Sequence, residues 1–250
     1  MWRKIGWAIA GIVLSTTASA DSTDLWTVCT TDKSVMRLDE TIAACTTVID
    51  SGQESGTRLG QAYFARGIAN GMKGALQHNR EESNRLAVAD LNKALELEPN
   101  NVEAIGLRSS INYDLKDYAA VIADLENEQK LDPDANDLWR LARAYEHTGA
   151  IDKAGALYAA LIKKSPKDES LYEARGDFYL RNGKASLAVG DYTMVLKTLH
   201  KGPYEASDAD VFYRRGLARR ASGDAPGADA DFAKASNIYP GMQPPTLDVY

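Results

Sequence analysis

Residues 94–99 read ALELEP, and three further segments end the same way: EQKLDP at 128–133, LIKKSP at 161–166 and ASNIYP at 235–240. Each is the tail of an apolar pattern with helical spacing. Proline stops it, because proline cannot continue an α-helix and biases the preceding residue away from helix. Pro99, Pro133 and Pro166 are 34 and 33 residues apart. Two apolar helical patterns precede each of them, so the repeating element is a pair of helices.

Aligning the repeats on a recurring small residue, numbered position 8, brings like residues into register. Pro99, Pro133, Pro166, His200 and Pro240 then stand at position 32, and the second repeat carries some eight extra residues. Position 8 is small: Gly67, Ser109, Ala142, Gly176 and Gly216. Position 20 is Ala87, Val121, Ala154, Ala188 and Ala228, and position 24 is bulky: Leu91, Leu125, Tyr158, Tyr192 and Phe232. Small side chains let two antiparallel helices approach closely, and a large one fills the space beside them. This pattern resembles the tetratricopeptide repeat family. The resemblance implies an all-α fold, a right-handed α-solenoid of antiparallel helix pairs. It further implies that the first helices of successive repeats line a concave groove, the usual seat of a protein or peptide ligand.

Six repeats are expected, at about 22–55, 57–99, 100–133, 134–167, 168–201 and 209–242, with a tail at 241–250. Two are irregular. In the second, some eight extra residues lie around Gly71 to Glu82, and the sequence leaves open whether they lengthen the helices or form a loop. After His200, the stretch Lys201 to Ala206 delays the last repeat.

The first repeat carries both cysteines of the chain, Cys29 at position 8 and Cys45 at position 24. These positions face each other across a helix pair in the family, so a Cys29–Cys45 disulfide is expected. It would staple a terminal repeat that has a single neighbour to bury against. Elsewhere a charge pair recurs. Position 7 is Arg66, Arg108, Arg175 and Arg215 wherever position 23 is Asp90, Asp124, Asp191 and Asp231. In the fourth repeat the two positions are Leu141 and Leu157, and in the first Val28 and Ala44. Matched exchange of a charge pair for an apolar pair is what contact between the helices would produce, with arginine holding the carboxylate in a two-pronged grip.

Residues 1–20 have the layout of a cleaved secretory signal. Arg3 and Lys4 give a positive start, Ile5 to Leu14 are uncharged and apolar, and Ala18-Ser19-Ala20 ends the segment. The apolar run is too short to span a membrane. Export is expected, most simply to a bacterial periplasm. The net charge of −6 is wrong for a nucleic-acid surface, and no polybasic cluster suits anionic lipid.

No catalytic or metal constellation stands out. His78, His147 and His200 fall in separate repeats, none at metal-helix spacing, and Gly52 to Gly56 lacks the Lys-Ser/Thr ending of a phosphate loop. No enzyme activity, cofactor or metal is expected. The resemblance points instead to side chains at positions 2, 5, 9 and 12 of the first helices. These give a partner-binding groove of Phe64, Asn136, Trp139, Arg143, Glu146, Glu173, Asp177, Tyr213 and Arg220. Family members that clamp a C-terminal carboxylate need Lys and Asn where this chain has Phe64, Ile68, Leu107 and Asn136. Arg140 alone fits that pattern, so the chaperone-tail clamp is disfavoured. The expected function is an exported scaffold or adaptor for a protein or peptide. The alternative is a self-associating structural component of the cell envelope, on the ground that nothing helical is expected beyond Pro240 to cover the last repeat.

Overall fold

The structure is a computed structural model that describes residues 22–31, 37–76, 80–133, 137–199 and 202–241. The expected signal segment, His78, Asn136, His200 and residues 242–250 of the tail lie outside the described residues. Twelve α-helices run through the rest, and no strand occurs among the described residues. The chain divides at Pro99 into two compact units.

The first unit holds α1 (Ser22–Thr31), α2 (Leu38–Asp50), α3 (Gly56–Leu76) and α4 (Arg80–Leu97). The second holds α5 (Val102–Asp114), α6 (Tyr118–Leu131), α7 (Leu138–His147), α8 (Ile151–Lys164), α9 (Glu169–Arg181), α10 (Ala185–Met194), α11 (Ala206–Ala221) and α12 (Ala225–Ile238). Six helix pairs result among the described residues. The extra residues of the second repeat lengthen its helices: α3 has 21 residues and α4 has 18. The delay before the last repeat begins with a π-helical turn, Val195–Leu199, that continues α10. Tyr204 then pins the connection, donating to the Leu196 carbonyl at 3.2 Å and meeting Phe212 edge-on.

Within each pair the helices are antiparallel. Gly60 lies against Leu97, Gly67 against Leu91 and Gly74 against Asn84, the partner number falling as the first rises. The small residue at position 8 is dictated by the ring opposite. A methyl group on Gly176 would sit 2.7 Å from the Tyr192 ring, and one on Gly216 would sit 2.6 Å from Phe232. Tyr192 is fully buried and tied by its hydroxyl to Asp177 at 2.6 Å, so it has little room to yield.

Turns between paired helices follow one design. The backbone N–H of residues 117, 150, 184 and 224 reaches back five residues, to the carbonyls of Asn112, Tyr145, Tyr179 and Arg219. That closure needs a left-handed residue just past the helix end. Gly149, Gly183 and Gly223 are near their turns with φ of 78°, 69° and 90°. In α5–α6 the place goes to Lys116, φ 62°, the one left-handed residue other than glycine among those described. Asp117 and Asp224 then cap the following helices, accepting from Ala120 at 3.1 Å and Gly227 at 2.9 Å.

Two kinds of clamp hold pairs together. Cys29 and Cys45 form a disulfide joining α1 to α2, both almost wholly buried at 1% and 0% exposure beside Ala44, Val48 and Ala62. In four other pairs an arginine of the first helix grips an aspartate of the second through Nε and Nη2. The distances are 2.9 and 2.7 Å for Arg66–Asp90, 3.0 and 2.6 Å for Arg108–Asp124, and 2.9 and 2.7 Å for both Arg175–Asp191 and Arg215–Asp231. The aspartate hydrogen bonds raise Arg66 and Arg175 above the usual guanidinium range. In α7–α8 both places are leucine, and Leu141 and Leu157 lie in the core with Val121, Leu125 and Tyr145. The third guanidinium nitrogen reaches the preceding repeat: Arg66 Nη1 donates to Thr46 at 3.0 Å and Arg215 Nη1 to Thr193 at 3.3 Å.

Four outcomes follow from these clamps and turns. Replacing Cys29 by Ser lowers stability by about 3 kcal/mol, read as earlier loss of α1–α2 amide protection in hydrogen exchange. Arg175→Leu alone costs about 3–5 kcal/mol, because it strands a buried carboxylate. Arg175→Leu with Asp191→Leu recovers most of that loss, as Leu141–Leu157 already does one repeat earlier; urea unfolding of the full double-mutant cycle measures it. Lys116→Gly relieves a left-handed residue that costs about 1 kcal/mol. Its midpoint of urea unfolding therefore rises.

Candidate functional site

In the second unit the first helices of successive repeats touch through their side chains, and these contacts define one face. Tyr113 of α5 meets Trp139 of α7, ring centroids 6.4 Å apart. Glu146 of α7 accepts from Arg181 of α9 at 2.7 and 3.1 Å. Glu173 and Asp177 of α9 each lie 3.4 Å from Arg214 of α11. The residues recur at one side of each helix because positions 5, 9, 12 and 13 fall together at 3.6 residues per turn.

Trp139 is the open element of this face, with 47% of its surface exposed. Its partner Tyr113 packs edge-on against Tyr118, which stacks flat on His147 at 4.1 Å. This forms an aromatic row supported from behind. Burial lowers the His147 pKa, with Arg143 adding to the effect. Beside Trp139, Arg140 pairs with Asp137 one turn earlier. One turn later, Arg143 Nη1 donates to Glu146 at 3.0 Å.

The charges on the face are largely spoken for. Glu146 is nearly closed to solvent and also accepts from Asn182 at 3.3 Å. Asp177 accepts from the Tyr192 hydroxyl as well as facing Arg214. Glu173 and Asp177 share that single guanidinium. Burial pushes the Glu173 carboxyl up, outweighing the attraction of Arg214.

Not every residue expected in the groove is there. Trp139, Arg143, Glu146, Glu173 and Asp177 share the face, whereas Asn136 lies outside the described residues. Tyr213 is only 9% exposed, its ring packed on Phe232 with centroids 4.9 Å apart. Arg220 turns toward α12, where it pairs with Asp229 at 3.0 Å and covers Phe232. Phe64 is partly buried in α3 of the first unit. Three contributors were missed: Tyr113 at position 12, a register already in use, and Arg181 and Arg214 at positions 13 and 6, outside it.

Among the described residues no group of three or more His, Cys, Asp or Glu could hold a metal ion. No helix among them is long and apolar enough to cross a membrane.

Comparison with known proteins points the same way as the helix pairs. Residues 138–168, covering α7, α8 and the turn beyond, match the family model for the tetratricopeptide repeat. Among solved structures, a tetratricopeptide repeat protein from Parabacteroides merdae is similar at 20% identity and a TM-score of 0.51, over 91% of this chain and 82% of that one. YrrB, described as a TPR protein with an unusual peptide-binding site, is similar at 16% identity and a TM-score of 0.57, over 80% of this chain and 95% of that one. MamA from Desulfovibrio magneticus RS-1, from residue 41 to its end, is similar at 17% identity and a TM-score of 0.53, over 66% and 94%. No curated protein matches the sequence.

Proposed function

We propose that the chain, which has the tetratricopeptide-repeat fold and matches that family's model over residues 138–168, is an exported scaffold. Its second unit receives a protein or peptide on the face built by α5, α7, α9 and α11. The observation that carries this reading is Trp139. A tryptophan nearly half exposed, braced by Tyr113 and flanked by Arg143 on the same helix, has the make-up of an interface anchor. Glu173 and Asp177 add negative charge further along, so the partner suited to the face carries both signs of charge. Export rests on the signal-like layout of residues 1–20. The role is binding without catalysis, in keeping with a face of paired charges and aromatic rings.

The self-associating alternative gains no support from α12. Its described exposed residues include Asp229, Ala230, Ala233, Lys234, Ser236 and Asn237, small or polar side chains that need no cover. Tyr239, just past the helix, is the large exposed side chain there.

Trp139→Ala and Arg143→Ala test the reading. Each weakens capture of the partner from a cell-envelope extract by about 30-fold or more, the scale of an interface hot spot, while circular dichroism and melting stay near those of the unaltered protein. If both variants retain every partner at full strength, the face is not the binding surface.

A further inference from the structure

Position 27 is apolar and buried in five of the six repeats, at Val48, Ala94, Leu161, Val195 and Ala235. In the third repeat it is Glu128, in the last turn of α6. Position 5 is exceptional in the same repeat. It is large elsewhere, at Trp26, Phe64, Trp139, Glu173 and Tyr213, and here it is Gly106 of α5. The two exceptions meet. A methyl group on Gly106 would lie 2.9 Å from Glu128 Oε1, so the carboxylate fills the space a side chain at position 5 would need.

That carboxylate lacks the grip seen in the clamps. Across the seam to the fourth repeat Arg140 of α7 attracts it through space alone, because the Arg140 ion pair goes to Asp137 on its own side. Tyr113 and Asp114 of α5 also act on Arg140. Asp132 and Asp124 repel Glu128, Asp124 being held in turn by Arg108 of α5. Burial wins on both sides of the seam. It raises the Glu128 carboxyl above the usual carboxylate range and lowers the Arg140 guanidinium. The closed clamps behave oppositely, their aspartates raising Arg66 and Arg175. A partly buried carboxylate without a grip is relieved by a proton or by water, and water needs the helices to part.

We propose that Glu128 makes the seam between the third and fourth repeats a pH-sensitive joint, closed when the carboxyl is protonated and loosened when it is ionised. The joint divides the proposed partner face. Arg140 directly follows Trp139 in α7, and the contact of Trp139 with Tyr113 crosses from α7 to α5. Its use in controlling a partner rests on that reading of the face, whereas the joint itself does not. The folded chain holds this proton to higher pH than the unfolded chain. Stability is therefore gained as pH falls through the folded value, and the gain levels off below the ordinary one.

The test is an amide-exchange series on the full chain from about pH 7 down to about pH 4, the ordinary glutamate value, corrected for the intrinsic pH dependence of exchange. Exchange in α7 slows relative to α12 as pH falls, and in 15N NMR the Trp139 indole N–H signal moves with the same midpoint. Glu128→Gln, neutral throughout, slows α7 exchange by about threefold or more at the neutral end and abolishes its pH dependence. Gly106→Ala pushes the carboxylate out of its place and moves the midpoint down. Glu173 sits by Arg214 between α9 and α11, and His147 ends α7, so both still titrate in Glu128→Gln. The joint is refuted if α7 exchange and the Trp139 signal ignore pH, or if Glu128→Gln follows the same course as the unaltered chain. A joint that titrates while Trp139→Ala and Arg143→Ala keep full partner capture would stand, and the binding face would fall.

Discussion

A guanidinium and a carboxylate can be buried together between two helices only if both arrive at the same height, and much of this fold hangs on that requirement. In four of the six pairs the two-pronged grip joins position 7 to position 23. A slip of one residue along either helix would break two hydrogen bonds and strand two charges. The contact therefore fixes register more than it adds stability, since a buried ion pair is near neutral against apolar residues of similar size. Position 8 must be small for the same reason, because the ring at 24 sits one residue beyond the aspartate. In Arg66 and Arg215 the spare nitrogen carries the register onward to the preceding repeat.

The repeat that lacks this grip is held differently. Leu141 and Leu157 take over its interior, and polar contacts move to its flanks. Tyr145 donates to Glu126 of the preceding repeat, and Arg181 of the following one grips Glu146. The charges of α7 pair along the face that carries Trp139, Arg140 with Asp137 and Arg143 with Glu146. The repeat least like its neighbours in its interior is thus the one that supplies most of the candidate surface.

Much of this was legible in the residues, and the limits have physical reasons. Helix pairs, their boundaries and the facing positions follow from a pattern written several times over. The cysteines and the arginine–aspartate pairs could be placed because register alone decides which side chains meet across a pair. The extra residues near Gly71 were not decidable, since Met72 to Leu76 suit a helix and a loop alike; packing of α3 on α4 settles them as helix. Nor was the π-helical turn after α10, which reflects how the chain spans a gap. For the binding face, position told which way a side chain starts but not whether a neighbour closes over it. Trp139 and Tyr213 share position 5, yet one is open and the other lies beneath Phe232. Arg181 and Arg214 went unseen because their long side chains reach partners a repeat away.

The bridge between α1 and α2 also bears on how the chain matures. With two cysteines in the whole sequence, oxidation within one molecule has a single product, and there is no wrong pairing to undo. The partners are separated by only 16 positions and sit in adjacent helices, so they can meet once that hairpin forms, before the rest of the array has folded. Such a chain needs an oxidant but has no use for an isomerase.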